Sequence, residues 1–393
     1  MVKSDANNFI KKEITFYYQD HLEFQTWFTI SNEAKTRGYS VIFSNDMDLK
    51  SEIGFYCSDF NKPENSKFSL VMLHGMDQGR VRWPNIWVTW PWNKFDIALL
   101  PGKDWANRWR ECSWDPYAHP KVGVYEVGSP KADLIFDKQY EFEKKLQNIK
   151  DELNLPFEKT VLYAPSFETD GKQNDVVNAV LDLNVNLLIK HWVAEEDKND
   201  YPDIWFNIQQ ANEEHTKMGS QIKAIDPKLS IMYCLGLADL LITDESSVAY
   251  EALLFNINTI SVNSWQMRTS NTASPRLIQP AAITHTSTLA SLSENIEKFI
   301  NYKKEVNEVK PRDKHFSSLG LSAKKIMDLV DLSVNNLKPN NSIISAHKIS
   351  RSIVWKRRII YLMSRLLPVK LRKFLLKIIM KNKFMERYLG SKV

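Results

Sequence analysis

Apolar residues along the chain fall into short runs of four to six, separated by longer amphipathic or polar stretches, which is the rhythm of alternating strands and helices. Glu13–Tyr18, Tyr39–Ser44 and Phe68–Leu73 read as strands, with a helix from His21 to Arg37 between the first two. Val122–Val127 reads as another strand, ended by a Gly128-Ser129-Pro130 turn, and the charged stretch Tyr140–Leu153 reads as an exposed connecting helix. The pattern then restarts, with strands at Thr160–Tyr163 and Leu187–Ile189 and a helix over Leu229–Gly236. Its clearest expression runs from Ala238 to Val262, where strand Leu240–Ile242, a polar turn, helix Val248–Leu254 and strand Thr259–Val262 follow one another. Leu289–Tyr302 reads as an amphipathic helix. The expectation is an α/β protein with a first unit over 1–150 and a second over 151–335, followed by a linker and tail over 336–393.

Open α/β sheets bind ligands beyond the carboxyl ends of their strands, so the residues at those ends are the candidates for chemistry. His74-Gly75 ends one expected strand, Ala164-Pro165-Ser166 a second and Lys190-His191 a third. After Leu240–Ile242 come Thr243, Asp244, Ser246 and Ser247, at the amino end of a helix. Free backbone N–H groups and the helix dipole favour a phosphate there, and the serine hydroxyls add donors, although the same serines serve equally as plain caps. His74 suits a general base, or is a structural histidine. Lys190 and His191 can neutralise a phosphate or remain solvated, and Glu251, one turn into the helix, can accept a ribose hydroxyl or face water.

Charge sharpens this picture. The chain of 393 residues has a formal net charge of +5, but Lys348–Val393 hold 14 Lys and Arg against the single acid Glu386, while the rest carries 38 basic and 46 acidic groups. Ile353 to Leu366 and Leu371 to Ile379 repeat apolar residues at helical spacing on either side of Pro368, with basic residues between. Two amphipathic basic helices fit an anionic membrane surface; packing back on the body is the alternative, and the apolar face is too complete for nucleic acid. The Asn- and Ser-rich stretch Asn335–Ser345 reads as the linker into this tail. The polar amino terminus lacks a signal-peptide core and no stretch is long and apolar enough to span a bilayer, so a cytoplasmic, membrane-peripheral location is expected. Cys57, Cys112 and Cys234 offer neither a disulfide framework nor metal-ligand spacing, and no cofactor is indicated with certainty. The tryptophans at 83, 87, 90, 92, 105, 109 and 114 share no helical or strand face, so most are expected in the core.

The order His74-Gly75, Gly128-Ser129-Pro130-Lys131 with Asp133, Leu162-Tyr163-Ala164-Pro165, Lys190-His191, and Ala238-Asp239 through Ile242-Thr243-Asp244 with Ser246-Ser247 resembles the CDP-glycerol glycerophosphotransferase family of teichoic acid and capsular polymer synthesis. The resemblance spans about residues 65–265 and implies two Rossmann-like domains of the GT-B type facing across a cleft, with the first on the acceptor side and the second on the nucleotide side. It implies His74 as base for an acceptor hydroxyl, His191 on the donor phosphates, and Ser246 and Ser247 on the pyrophosphate. Gly75, Arg80, Ser166, Lys190, Thr243, Asp244 and Glu251 complete the implied substrate-binding set. The implied reaction moves a polyol phosphate from CDP-glycerol or a related CDP-polyol to a lipid-linked or polymeric glycan, with CMP leaving; a GT-B glycosyltransferase using a nucleotide sugar, or a non-catalytic partner in polymer assembly, is the alternative. The chain departs from the family pattern at Met76-Asp77-Gln78-Gly79-Arg80, Trp192 and Glu245, which bear on donor identity more than on fold.

Overall fold

The computed structural model describes residues 13–57, 61–75, 87, 90–166, 171–244, 246–262, 284–301, 312–355 and 358. Two six-stranded parallel sheets carry the fold. The first is built from β1 (Glu13–Tyr17), β2 (Ser40–Ser44), β3 (Ser51–Tyr56), β4 (Ser66–Val71), β5 (Ile97–Leu100) and β6 (Gly123–Glu126), in the order β2-β1-β3-β4-β5-β6. The second comprises β7 (Lys159–Tyr163), β8 (Val185–Ile189), β9 (Ile222–Ala224), β10 (Leu240–Thr243), β11 (Asn258–Val262) and β12 (Thr284–Ser287), in the order β12-β11-β10-β7-β8-β9. Counted within its own unit, that second order is 3-2-1-4-5-6, the dinucleotide-binding arrangement, and its direction reverses between β7 and β10. A crevice opens at such a reversal, and the loops after β7 and β10 are those that begin at Ala164 and Asp244.

Parallel strands are covered by helices on both faces, which is why β8 and β10 are buried along their whole length and read as continuous apolar runs. Strands whose composition is mixed escape the pattern: β3 carries Glu52 and Gly54, and β9 has only three residues. Helices Lys103–Cys112, Lys172–Val180 and Pro202–His215 also escape it; in the last two the buried face takes in polar residues, Lys172, Gln173 and His215. Gly128-Ser129-Pro130 leads into a helix, Pro130–Phe136, with proline in its first turn, where the missing N–H costs nothing. Five of the clustered tryptophans, Trp87, Trp92, Trp105, Trp109 and Trp114, are buried in the core, as their irregular spacing suggests.

After completing the second sheet the chain returns to the first, a crossing absent from the sequence reading. Helix Ser322–Val334 lays Ile326, Met327 and Val330 against the first sheet together with Trp27 and Ile30 of helix His21–Thr36. Asp133 anchors the return by accepting hydrogen bonds from the Ser322 and Ala323 N–H groups at 3.1 and 2.7 Å. Gly128 completes the junction: its φ is +96°, and a Cβ there would lie 2.4 Å from the Ser317 carbonyl oxygen. The stretch expected as a linker is docked on the edge of the first sheet, where Ile343 N–H donates to Val124 O at 2.8 Å and Ala346 N–H to Ser113 Oγ at 3.1 Å. Of the basic tail helices, all but 353–355 and 358 lie outside the described residues, as do Arg80 and Glu245.

Candidate active site

An open cleft separates the two units. From the first unit it is lined by Asp20, His74 and Lys131, and from the second by Ser166, Lys190, His191, Ser246, Ser247 and Glu251, among others. The strand-end residues that the sequence singles out on β4, β7, β8 and β10 therefore meet in one space, although up to 173 positions separate them in the chain. Gly75 borders a neighbouring narrow pocket that shares His74 and Lys131 with the cleft and is walled by Trp87, Trp92 and Trp105.

The floor of the cleft is a buried polar scaffold. Thr243 and Asp244, both fully buried, lie beneath the cleft surface and hold its wall. Thr243 Oγ1 donates to Ala164 O at 2.6 Å, and Asp244 Oδ1 accepts from the Ser166 N–H at 2.7 Å, so the end of β10 fixes the loop after β7. The other Asp244 oxygen takes the Lys172 ammonium at 2.9 Å in a buried ion pair. Removing one partner of such a pair leaves the other charge uncompensated, so this wall is held firmly. Trp192 stands where the family pattern has proline, and its indole N–H donates to the Ser166 carbonyl. Among the described residues Ser166 Oγ has no hydrogen-bond partner, and Ser247, the N-cap of helix Val248–Phe255, makes no side-chain cap bond. Ser246 Oγ reaches the Val248 N–H only at 3.4 Å. The serine hydroxyls at this end are thus largely uncommitted to capping.

Lys190 is the most unusual group in the cleft. It is 5 % exposed, and its ammonium donates to the carbonyls of His191 and Pro227, at 2.9 and 2.6 Å, with no carboxylate among the described residues in ion-pair contact. Burial lowers its pKa to about 8. A buried cation with neutral partners is a site for an anion. His191 is its complement. Burial, with Lys190 and Lys172 nearby, lowers its pKa to about 3, so the ring is neutral. Gln173 donates from Nε2 to Asn212 Oδ1 and His215 Nδ1, which turns its carbonyl oxygen to His191 Nε2 at 2.8 Å. His191 is therefore protonated at Nε2, leaving Nδ1 as an acceptor.

Lys131 and Glu251 form an ion pair at 2.6 Å that joins the first unit to the second. Glu251, for which the sequence leaves a ribose hydroxyl or water open, holds a protein partner at Oε1. Opposite the serines, His74 Nδ1 lies 3.6 Å from Glu23 Oε1. Three groups here were not singled out from sequence: Asp20, Glu23 and Tyr201. Tyr201 packs edge-on against Trp192 on the cleft wall. Asp20 and Glu23 were legible as a helix-start pattern, an acidic cap followed three residues later by Glu.

Residues 109–259, which include β6 through β10 and the first two residues of β11, match the family model described as CDP-Glycerol:Poly(glycerophosphate) glycerophosphotransferase. Over this stretch the chain carries the sequence pattern of that family of enzymes. Among solved structures, a variant of the wall teichoic acid polymerase TagF is 14% identical over 83% of this chain and 90% of its own, with a TM-score of 0.53. The putative UDP-N-acetylglucosamine 2-epimerase of Listeria monocytogenes is 11% identical over 85% of this chain and 100% of its own, at 0.55. The UDP-GlcNAc 2-epimerase of Neisseria meningitidis, solved bound to UDP-GlcNAc, is 10% identical over 81% and 98%, at 0.51. At these identities the likeness is one of fold, the two-sheet GT-B arrangement. No curated protein sequence matches the chain. Among the described residues, no helix is long and apolar enough to cross a membrane, and no group of three or more His, Cys, Asp or Glu is placed to hold a metal.

Proposed function

We propose that the protein transfers glycerol phosphate, or a related polyol phosphate, from a CDP-activated donor to a hydroxyl of a lipid-linked or polymeric cell-surface glycan. The observation that carries this reading is the cleft itself, where His74 faces Lys190, Ser166, Ser246 and Ser247 across the space between the sheets. The pyrophosphate of the donor lies at the amino end of helix Val248–Phe255, with its charge met by Lys190. The acceptor oxygen attacks the glycerol-bearing phosphorus while His74 takes its proton. The bond from that phosphorus to the bridging oxygen breaks, and CMP leaves with the electron pair. Most of the rate enhancement in phosphoryl transfer comes from positioning and charge neutralisation, which matches a site built from donors and a cation.

A TagF variant soaked with CDPG shares this fold, with 14% identity and a TM-score of 0.51, and the family match supports the same donor. The test is CMP release from CDP-glycerol in the presence of a lipid-linked or polymeric acceptor. Turnover is expected with CDP-glycerol or another CDP-polyol, and no CMP from any of them would overturn the proposal. Stabilisation against heat by UDP-GlcNAc instead of by CDP-polyols would favour the nucleotide-sugar alternative, since only a true donor stabilises the fold.

The basic tail from Lys348 to Val393 supports a peripheral location on the anionic inner face of the cell membrane. The full chain should sediment with vesicles containing anionic lipid at low salt and be released at high salt. Equal sedimentation with neutral vesicles would remove the electrostatic part of this reading.

A further inference from the structure

Among the described residues, Glu23 is a buried carboxylate with no lysine or arginine in ion-pair contact. Its side chain is 3 % exposed, one oxygen accepts the Gln19 N–H at 2.8 Å, and the other faces His74 Nδ1 at 3.6 Å. The helix start is already closed by Asp20, whose Oδ1 accepts the Glu23 N–H at 2.9 Å. Holding Gln19 requires only a carbonyl oxygen, which glutamine supplies as well as glutamate. The negative charge is therefore unexplained by folding, and burying it uncompensated is costly. His74 is the titratable side chain within ion-pair distance, half-exposed at 39 % and on the surface of the cleft.

We infer that Glu23 is the positioning residue of the catalytic base: its carboxylate holds His74 as the Nδ1–H tautomer, leaves Nε2 for the acceptor hydroxyl, and stabilises the imidazolium formed when that proton is taken. This rests on the reading of His74 as base. Proton and charge balance within the pair: the hydroxyl proton moves to Nε2, the Nδ1 proton stays on the ring, and the Glu23 carboxylate remains ionised beside the cation. The separation of 3.6 Å exceeds a hydrogen bond, and such contacts in free enzymes tighten when substrate is bound. The same logic of a buried carboxylate orienting an imidazole recurs on unrelated folds.

Glu23→Gln keeps the acceptor for Gln19 and removes only the charge. It should lower kcat by on the order of 10²-fold with the KM for CDP-glycerol little changed, because the donor is held by the other unit. Its melting temperature should match or exceed that of the parent. Nitrogen NMR of labelled His74 at alkaline pH should show mainly the Nδ1–H tautomer in the parent and a shift toward Nε2–H in the variant, independently of any turnover. A His74→Ala, Glu23→Gln double variant should lose no more residual activity than His74→Ala. An unchanged tautomer with unchanged kcat in Glu23→Gln would overturn the inference and leave His74 as base untouched, whereas an active His74→Ala would overturn the underlying reading. Full additivity in the double variant would also overturn the inference, since a residue acting through His74 has nothing to add once it is gone.

Discussion

Lys190→Met should weaken CDP-glycerol binding by on the order of 10²-fold while making the free protein more resistant to heat. The two effects have one cause. The ammonium is buried with carbonyl partners, and its pKa of about 8 lies well below the 10.5 of an ordinary lysine. A shift of that size corresponds to about 3 kcal/mol of destabilisation at neutral pH. Methionine fills the space without charge but leaves the His191 and Pro227 carbonyls without their donor, which returns about 1–2 kcal/mol. A net gain of about 1 kcal/mol remains. The pH dependence follows with a definite sign. Below pH 8 both folded and unfolded states carry the proton and the cost of burial is fully present. Between pH 8 and 10.5 the unfolded chain still binds the proton while the folded one has released it, so this group makes the parent more stable as pH rises, and the advantage of the methionine variant fades. Thermal melts with and without CDP-glycerol, repeated at pH 7 and pH 10, read all three outcomes. A variant that melts lower and still binds donor would show that Lys190 is a structural cation.

His74→Ala should reduce CMP release by between about 10² and 10⁴-fold, the range lost with a general base, with the KM for CDP-glycerol within a few-fold of the parent. The split is the informative part. His74 stands on the first unit beyond β4, while the cleft residues proposed to hold the donor phosphates, Ser166, Lys190, Ser246 and Ser247, all belong to the second. Loss of a base on the acceptor side should slow the chemical step and leave donor affinity intact. Donor binding followed by heat stabilisation then provides the control for folding. Activity within tenfold of the parent would place the base elsewhere in the cleft.

What could be read from the chain depended on whether a signal is local. The unit from β10 to β11 was placed within about a residue because a buried parallel strand is a continuous apolar run and the polar turn after it has no other use. The collection of strand ends into one cleft also followed, since parallel topology puts them all on one side. The support of the cleft was not legible, because it is built from partners distant in sequence. Asp244 meets Lys172 across 72 positions, and His191 meets Gln173 on a helix whose pattern is too polar to announce itself. Glu251 looked like a ligand-facing carboxylate because Lys131, 120 residues earlier, gives no sign of reaching it. Glu23 had a visible local reason, the start of a helix, and that reason concealed its place beside His74.

The return of helix Ser322–Val334 to the first sheet makes the second sheet an insert within the sequence of the first. Only the inserted part is contiguous. A nonsense change anywhere between residues 127 and 322 would spare every strand of the first sheet and still strip from it the apolar cover supplied by Ile326, Met327 and Val330. Ribosomal synthesis therefore cannot finish the first unit first: its fold must wait until residues 322–334 have emerged. During that interval its exposed apolar face is a target for chaperones, and the second unit is complete before it.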